Sequence, residues 1–487
     1  MIELENSELA DFVIEYALKR GAKYAEARLI YSRDESYVAR NGLFISCDEK
    51  YNSGIGIRIL NDKGFGFVSN SILTKDSIKE SVDHAIKMAK LCNRQTPIKL
   101  SEEKVYETEW RSEVKQKFED LSWDEKKKYI KSIDKRLKRE LDEKLYSRII
   151  ICLLHKEKKY FVNSEGTKVK SEIYLPNMTT MMTAKGKNGT EQRNFSLGGN
   201  GGWEWFNEIK FDDKLVEDCR GLIKTAKFAR SIKFDSNIDV IISGEISGII
   251  SHENIGHPSE ADRIYGREGA QAGESFYADL LKQYNNNLGE IEIGSKFVTI
   301  IDDPTIPKEP GYYLYDDEGV KSRPRYLIKQ GKLTELLLNR EYAAKFNMNS
   351  NAASRSVSFS KEPIIRMANT YFTTGDYNSI EELASEIKKG IYIKSFTEWN
   401  IDDRRFQSKY VGLESYLIEN GKITETLVKR PILELTTFGI LKSVDGITKN
   451  IDRRLGLCGK GDPMQGIPVS MGGAEVRLRN IKIWGML

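Results

Sequence analysis

The stretch "SHENIGHP", residues 251–258, places His252 directly before Glu253 and a second histidine, His257, five positions after the first. The chain of 487 residues has only four histidines, so half of them lie in this segment. Imidazole is a common metal ligand, and a glutamate beside such ligands is typical of a general base in metal-assisted hydrolysis. These residue types predict a metal site with hydrolytic chemistry.

The five-residue spacing does not suit a regular α-helix. At about 3.6 residues per turn, histidines four apart lie on one face, whereas histidines five apart point roughly 140° away from each other. A wide turn or the end of a helix must therefore lie between the two. Gly256 permits non-helical angles and Pro258 disfavours the αR region for His257, so we expect the helix to end at residues 256–258.

A catalytic zinc site needs three protein ligands, and the candidate for the third is Cys458 in "GLCGKGDPMQGIPVSMGG". Its flanking glycines predict an exposed thiol, and Lys460 would favour the thiolate. The other two histidines, His84 and His155, lie in segments typical of core or surface roles. Zinc is the expected ion and iron(II) the alternative, because both accept imidazole and thiolate ligands.

The elements that must position these residues predict an α+β protein of two domains. Residues 1–234 combine helical periodicity in "NSELADFVIEYALKRG" with alternating segments such as "GIGIRIL", which predicts an α+β domain with an antiparallel sheet. Strand-like segments such as "KFVTIIDD" and "AEVRLRNIKIW" dominate after residue 235. We therefore predict a β-rich C-terminal domain, residues 235–487, opened by a metal-binding helix.

Charge and hydropathy argue against several other classes of function. Lys and Arg number 76 against 72 Asp and Glu, without a basic stripe, so no nucleic-acid partner is expected. No run approaches the ~18 apolar residues of a membrane span, and the N-terminus is too acidic for a secretory signal. Five cysteines, odd in number and far apart, do not predict a disulfide framework. A cytoplasmic location without membrane association is the expectation.

Several motifs resemble the TldD/PmbA family of metalloproteases, and specifically its TldD-type subunit, which carries the metal motif. The resemblance covers essentially the whole chain and rests on "HENIGHPSEAD", "RMANTY", "YLIENGKIT" and "CGKGDPMQGIPVSMGG". It implies that His252, His257 and Cys458 bind one divalent metal ion per active subunit. It also implies that Glu253 is the general base that activates a metal-bound water. Pro258 departs from the small or Gly-rich residue common in the family, which affects the local turn but leaves the ligand types intact.

The same resemblance implies unstructured or small peptides as substrates and a cytosolic dimer with a large inner cavity. The dimer would be a homodimer or a heterodimer with a paralogue that lacks the motif. A peptide could be held as an added strand on an edge of the β-rich domain. The alternative function is a partner-dependent peptide-maturation or peptide-binding subunit with a structural metal. The ligand set with Glu253 favours an enzyme, since structural sites usually close the fourth position with another Cys or His.

Overall fold

The computed structural model describes residues 2–61, 64–92, 96–141, 144–186, 189–269 and 273–485. Helices and strands are mixed along the chain, which confirms the predicted α+β class. None of the described helices is both long and apolar enough to cross a bilayer. The described cysteines are all free thiols.

The N-terminal half is built on one long, twisted sheet with helices packed against it. Its helices are α1 (Ser7–Lys19), α2 (Lys75–Leu91), α3 (Trp123–Leu141), α4 (Trp205–Glu208) and α5 (Phe211–Phe228). Its strands are β1 (Tyr24–Arg40), β2 (Leu43–Asn61), β3 (Gly64–Asn70), β4 (Glu107–Arg111), β5 (Leu145–Asn163), β6 (Lys168–Gly186) and β7 (Gly189–Gly198). The strand order is β3-β2-β1-β5-β6-β4, with β7 also paired to β6.

Period-two alternation explains how this sheet forms a core. Ala27 and Leu29 of β1 lie opposite Ile57 and Ile55 of β2, and all four are fully buried in the cluster that includes apolar residues of α1 and α2. The pairs are antiparallel as predicted, except that β4 runs parallel to β6.

The C-terminal half is rich in short strands. They are β8 (Ile238–Ile242), β9 (Ile300–Asp302), β10 (Arg325–Lys329), β11 (Lys332–Leu333), β12 (Ser354–Arg355), β13 (Ile364–Ile365), β14 (Asn369–Phe372), β15 (Lys389–Ile393), β16 (Phe396–Ile401), β17 (Gln407–Gly412), β18 (Ser415–Glu419), β19 (Lys422–Leu427), β20 (Pro431–Thr436), β21 (Val444–Ile447), β22 (Asp452–Lys460), β23 (Gln465–Gly473), β24 (Val476–Ile481) and β25 (Ile483–Gly485). Its helices are α6 (Gly244–Ile250), α7 (Ala261–Ile264), α8 (Tyr277–Gln283), α9 (Arg340–Lys345), α10 (Ile380–Ala384) and α11 (Thr437–Lys442).

Three sheets and one strand pair organise this half. The sheet orders are β11-β10-β9-β14-β23-β22, β19-β18-β15-β8-β24-β21 and β16-β17-β20-β25, and β12 pairs with β13. A large hydrophobic cluster in this half includes residues from β8, α6, β23 and β22. The predicted domain boundary at residue 235 falls in the segment between α5 and β8 and stays a prediction.

Helix α6 is fixed tightly against one of these sheets. Ser243 caps it, because its hydroxyl accepts from the N–H of Ile246 at 3.4 Å. A Cβ on Gly248 would lie 2.3 Å from the backbone N of Gly472, so only glycine allows this close approach to β23. The helix therefore delivers the residues that follow it to the sheet containing β22 and β23.

Candidate metal centre

The two histidines lie on a π-helical turn, Ser251–Gly256, that directly continues α6. The N–H of His257 donates to the carbonyl of His252, five residues back, at 3.0 Å. This wider turn brings residues five apart toward one face, and the two imidazole centroids lie 4.8 Å apart. The structure thus contains the wide turn that the spacing requires.

The helical turn ends at Gly256, with His257 as its C-cap, as expected, but the predicted local cause of this end was wrong. His257 remains in the αR region, with φ −61° and ψ −44°, although Pro258 follows it. The steric preference against αR before proline is therefore outweighed here by the bond to His252 and by packing. Gly256 stays within the helical turn, and its lack of a Cβ matters for space, because a Cβ would lie 1.9 Å from Sδ of Met367.

His252, His257 and Cys458 come together although the cysteine is distant in sequence. One potential ligand atom from each residue lies within 4.8 Å of the others, and Sγ of Cys458 is 3.5 Å from Nε2 of His257. All three side chains are buried. Within the described part of the chain, the buried Nδ1 of His252 has no hydrogen-bond partner. Two imidazoles, one of which has an unsatisfied ring nitrogen, and one thiol fit the donor set of a zinc-type site.

The protonation states of these three groups suit metal binding. Burial lowers the pKa of both His252 and His257, which favours the neutral imidazole that coordinates metals. Burial alone would raise the pKa of the Cys458 thiol, but His257 and the guanidinium of Arg366 lower it below its usual range. Both changes favour the forms that bind metals, the neutral imidazole and the thiolate.

The predicted surroundings of Cys458 were wrong in two respects. Its side chain is 5% exposed, because β22 places it in the hydrophobic cluster and not on an open loop. The ammonium of Lys460 contacts Oδ1 of Asp262 at 2.7 Å and Oε2 of Glu260 at 3.3 Å, and it donates to the carbonyl of Ile365 at 2.8 Å. None of these partners is the thiol.

Glu260 contacts His257 through Nδ1, the ring nitrogen that does not face Cys458. This glutamate was not identified from the sequence. Its Oε2 lies 2.9 Å from Nδ1 of His257 and 3.1 Å from Nε of Arg263. Burial would raise the pKa of Glu260, but Lys460, His257 and Arg263 hold it well below its usual range. An ionised carboxylate on Nδ1 fixes the tautomer and leaves Nε2 facing Cys458. Its position three residues after His257 was the signal available in the sequence.

Glu253 lies beside the cluster, with Oε2 4.0 Å from Nε2 of His257. The same oxygen accepts from Nη1 of Arg405 at 3.0 Å. Arg405 stands in the turn between β16 and β17 with φ 62°, a left-handed conformation that is rare for arginine and often found at functional sites. No sequence motif marks Arg405, because only the fold brings it to Glu253.

Asn254 anchors the π turn to the neighbouring sheet. Its Oδ1 accepts from the hydroxyl of Tyr410 at 2.8 Å, and its Nδ2 donates to Thr437 at 2.8 Å and to Ser408 at 3.2 Å. These bonds fix the residue that follows Glu253, so the carboxylate faces the cluster with little freedom. The arrangement can hold a metal ion and place a carboxylate beside it.

Comparison with known proteins finds similarity along most of the chain. Three family models match the chain: PmbA/TldA metallopeptidase domain 1 at residues 25–89, the central domain at 116–231 and the C-terminal domain at 235–485. A metalloprotease of Methanocaldococcus jannaschii is 31% identical over 93% of this chain and 95% of its own length. A protein of Saccharolobus solfataricus named as a zinc metalloprotease TldD homolog is 26% identical over 97% of this chain and 99% of its own.

The fold is shared with a solved structure. The crystal structure of TldE from Thermococcus kodakarensis has a TM-score of 0.74 against this chain, with 16% sequence identity, and the match covers 98% of this chain and 100% of that one.

Proposed function

The chain belongs to the PmbA/TldA metallopeptidase family, and on this premise we propose that it is a metal-dependent peptidase acting on unstructured or small peptides. One observation carries the proposal. His252, His257 and Cys458 converge in a buried cluster, with the carboxylate of Glu253 4.0 Å from one of its ring nitrogens. That combination matches the parts needed for metal-assisted hydrolysis.

In this proposal, His252, His257 and Cys458 hold one divalent ion. Zinc is the first candidate, because the donor set suits it and one relative is named as a zinc metalloprotease, and iron(II) is the second. When bound, such an ion lowers the pKa of a water molecule and polarises the scissile carbonyl.

The protein's own residues divide the remaining work. Glu253 takes a proton from the attacking water and passes it to the leaving amine. Arg405 holds that carboxylate in place through its 3.0 Å contact, and Glu260 orients His257 through Nδ1. Because the cluster is buried, these charged contacts are screened less than they would be in bulk water.

The edge of β22 supports a mode of peptide binding. Among the described strands β22 pairs only with β23, so its other edge offers unpaired backbone groups next to Cys458. We propose that a peptide lies there as an added strand, held by main-chain hydrogen bonds that do not depend on its sequence. We further propose a dimer, formed by two copies or with a paralogue that lacks the motif.

The proposal is tested by measuring bound metal and hydrolysis of an unfolded peptide for the wild type, Cys458→Ser and Glu253→Gln. We expect Cys458→Ser to lose the metal, because it removes a ligand. We expect Glu253→Gln to keep the metal and lose about 10²- to 10⁴-fold in kcat, the usual contribution of a general base. Cys47→Ser is the matched control, since Cys47 is a half-buried thiol outside the cluster.

Full metal content in Cys458→Ser would exclude the thiolate as a ligand. A wild type that binds metal but hydrolyses no peptide would favour the alternative function, a peptide-binding or maturation subunit with a structural metal.

A further inference from the structure

A cavity of about 340 Å³ lies on the opposite face of β22 from the metal cluster. Successive side chains of a strand point to opposite faces, so Cys458 faces the cluster while Leu457 and Leu455 face the cavity. Pro468, the β23 partner of Leu457, also lines the cavity. One edge strand therefore separates the two features.

The other walls of the cavity come from the N-terminal sheet and from the segment after β9. Trp110 and Tyr312 meet edge to face, with ring centroids 5.7 Å apart, and Tyr313 lies beside them. Leu153 of β5 also lines the cavity. The walls are thus largely aromatic and aliphatic, which suits an apolar occupant.

Two of the carboxylates in the walls are already paired with basic side chains of the same walls. Nζ of Lys159 is 2.7 Å from Oδ1 of Asp317, and Nδ1 of His155 is 2.6 Å from Oδ1 of Asp34. The guanidinium of Arg355 donates to two backbone carbonyls, those of Met367 and Pro468. An apolar ligand would bury its surface against the aromatic and aliphatic walls.

The cavity has an apolar rim next to the free edge of β22. Leu457 is 75% exposed, and Leu153 and Val357, which also line the cavity, are exposed as well. Leu455 is different, because it packs so closely on Gly198 that a Cβ there would lie 2.9 Å from it. The side chain of Leu457, one residue from Cys458, is therefore open to solvent beside the cavity.

We propose that this cavity is a side-chain pocket for the peptide substrate and that it selects an aromatic or large aliphatic residue next to the bond that is cut. The inference rests on the proposed function, because the peptide lies along β22. A residue opposite Leu457 shares its face and enters the cavity, whereas its neighbours in the peptide point toward the metal cluster. The volume accommodates one aromatic side chain with its adjoining backbone.

Peptide binding tests this without relying on catalysis. The probe is a blocked, fluorescein-labelled nine-residue peptide with one central Phe in a background of Ser and Thr, and a second peptide has Asp instead. Both are titrated by fluorescence anisotropy into the metal-free, full-length Glu253→Gln protein. We expect the Phe peptide to bind about 10- to 100-fold more tightly, the gain from burying one aromatic side chain.

Leu153→Trp fills the cavity from its exposed wall and should abolish this preference. Leu43→Trp is the control, because Leu43 is 73% exposed and lies outside the cavity, at the turn between β1 and β2. Equal binding of the two peptides by the unfilled protein would overturn the inference, and so would an unchanged preference in Leu153→Trp.

Two further results distinguish this inference from the proposed function and from a contact between two copies of the chain. Hydrolysis of both peptides by the metal-loaded wild type reports on the proposed function alone. Equal cleavage together with equal binding would leave that function standing and remove the pocket. If Leu457→Asp changes the oligomeric state in sedimentation but leaves the Phe preference intact, the apolar rim is a contact between copies and the inference is wrong.

Discussion

At the scale of single residues, the site depends on side chains that are not metal-ligand candidates. Glu260 is the clearest case, since its carboxylate contacts His257, Arg263 and Lys460 at 2.9, 3.1 and 3.3 Å. Its ionised state depends on these partners, because burial alone would raise its pKa. The same oxygen therefore joins the imidazole to the charge network behind it.

Replacing this carboxylate should weaken metal binding without removing a ligand. We expect Glu260→Gln to lower metal affinity about 10- to 100-fold, because Nδ1 of His257 loses its anionic partner. Competition with a chromophoric chelator measures the affinity. Glu414→Gln is the control, since Glu414 is also buried and hydrogen-bonded but lies outside the site. An equal loss of metal affinity in both variants would show that general destabilisation, and not the contact with His257, causes the effect.

At the scale of elements, the π turn and its packing decide whether two histidines five residues apart can bind the same metal ion. The turn is held by the bond from His257 to His252 and by the contacts of Asn254 with the sheet of β17. Gly256 lets it lie directly against Met367, which is fully buried.

Gly256→Ala should therefore damage both stability and metal binding. The added Cβ would overlap Sδ of Met367, and overpacking of this kind costs about 1–3 kcal/mol. Urea unfolding and metal content are the measurements. The double variant Gly256→Ala with Met367→Ala should recover metal binding, because the overlapping atoms are gone. Gly289→Ala is the control and should change neither stability nor metal content, because nothing lies within 4 Å of the new Cβ. If the double variant does not recover metal binding, the overlap with Met367 is not the cause of the loss.

At the scale of the whole molecule, ion pairs join the N-terminal sheet to the C-terminal half. Arg58 of β2 contacts Glu26 at 2.8 Å within the sheet and Glu318 at 2.6 Å across the interface. Arg340 of α9 contacts Glu165 at 2.7 Å from the other side. The cavity behind β22 lies between the same two halves, so its shape depends on how these pairs hold them.

Breaking one of these pairs should be costly. We expect Arg58→Met to lower the free energy of unfolding by about 3–5 kcal/mol, because it leaves two buried carboxylates without their cation. The exposed pair of Arg20 with Asp83 is the control, and Arg20→Met should cost below about 1 kcal/mol. Both are measured by urea denaturation. A similar loss of unfolding free energy in the two variants would show that the interface pair stabilises the fold no more than an exposed pair does.

Much of the fold could be predicted from alternation and turn residues. Antiparallel pairing in the N-terminal sheet follows from period-two patterns such as those of β1 and β2, and the strand-rich C-terminal half from its β-branched segments. The cause of the histidine turn could not be predicted. Whether Pro258 or a hydrogen bond controls His257 depends on energies set by Met367 and by the neighbouring sheet, which local sequence does not contain.

The sequence by itself determined the chemistry that is available here: two histidines, a glutamate and a cysteine of the right types, with a spacing that excludes a regular helix. Backbone geometry fixes such local relations, so they can be read without a structure. Only the tertiary structure decided which distant groups meet. In the folded chain Cys458 contacts His257, which is 201 residues away in sequence. Arg405 donates to Glu253, and Lys460 contacts a carboxylate of Asp262. The physical reason is that strand pairing and burial, which fix these contacts, depend on the whole chain at once.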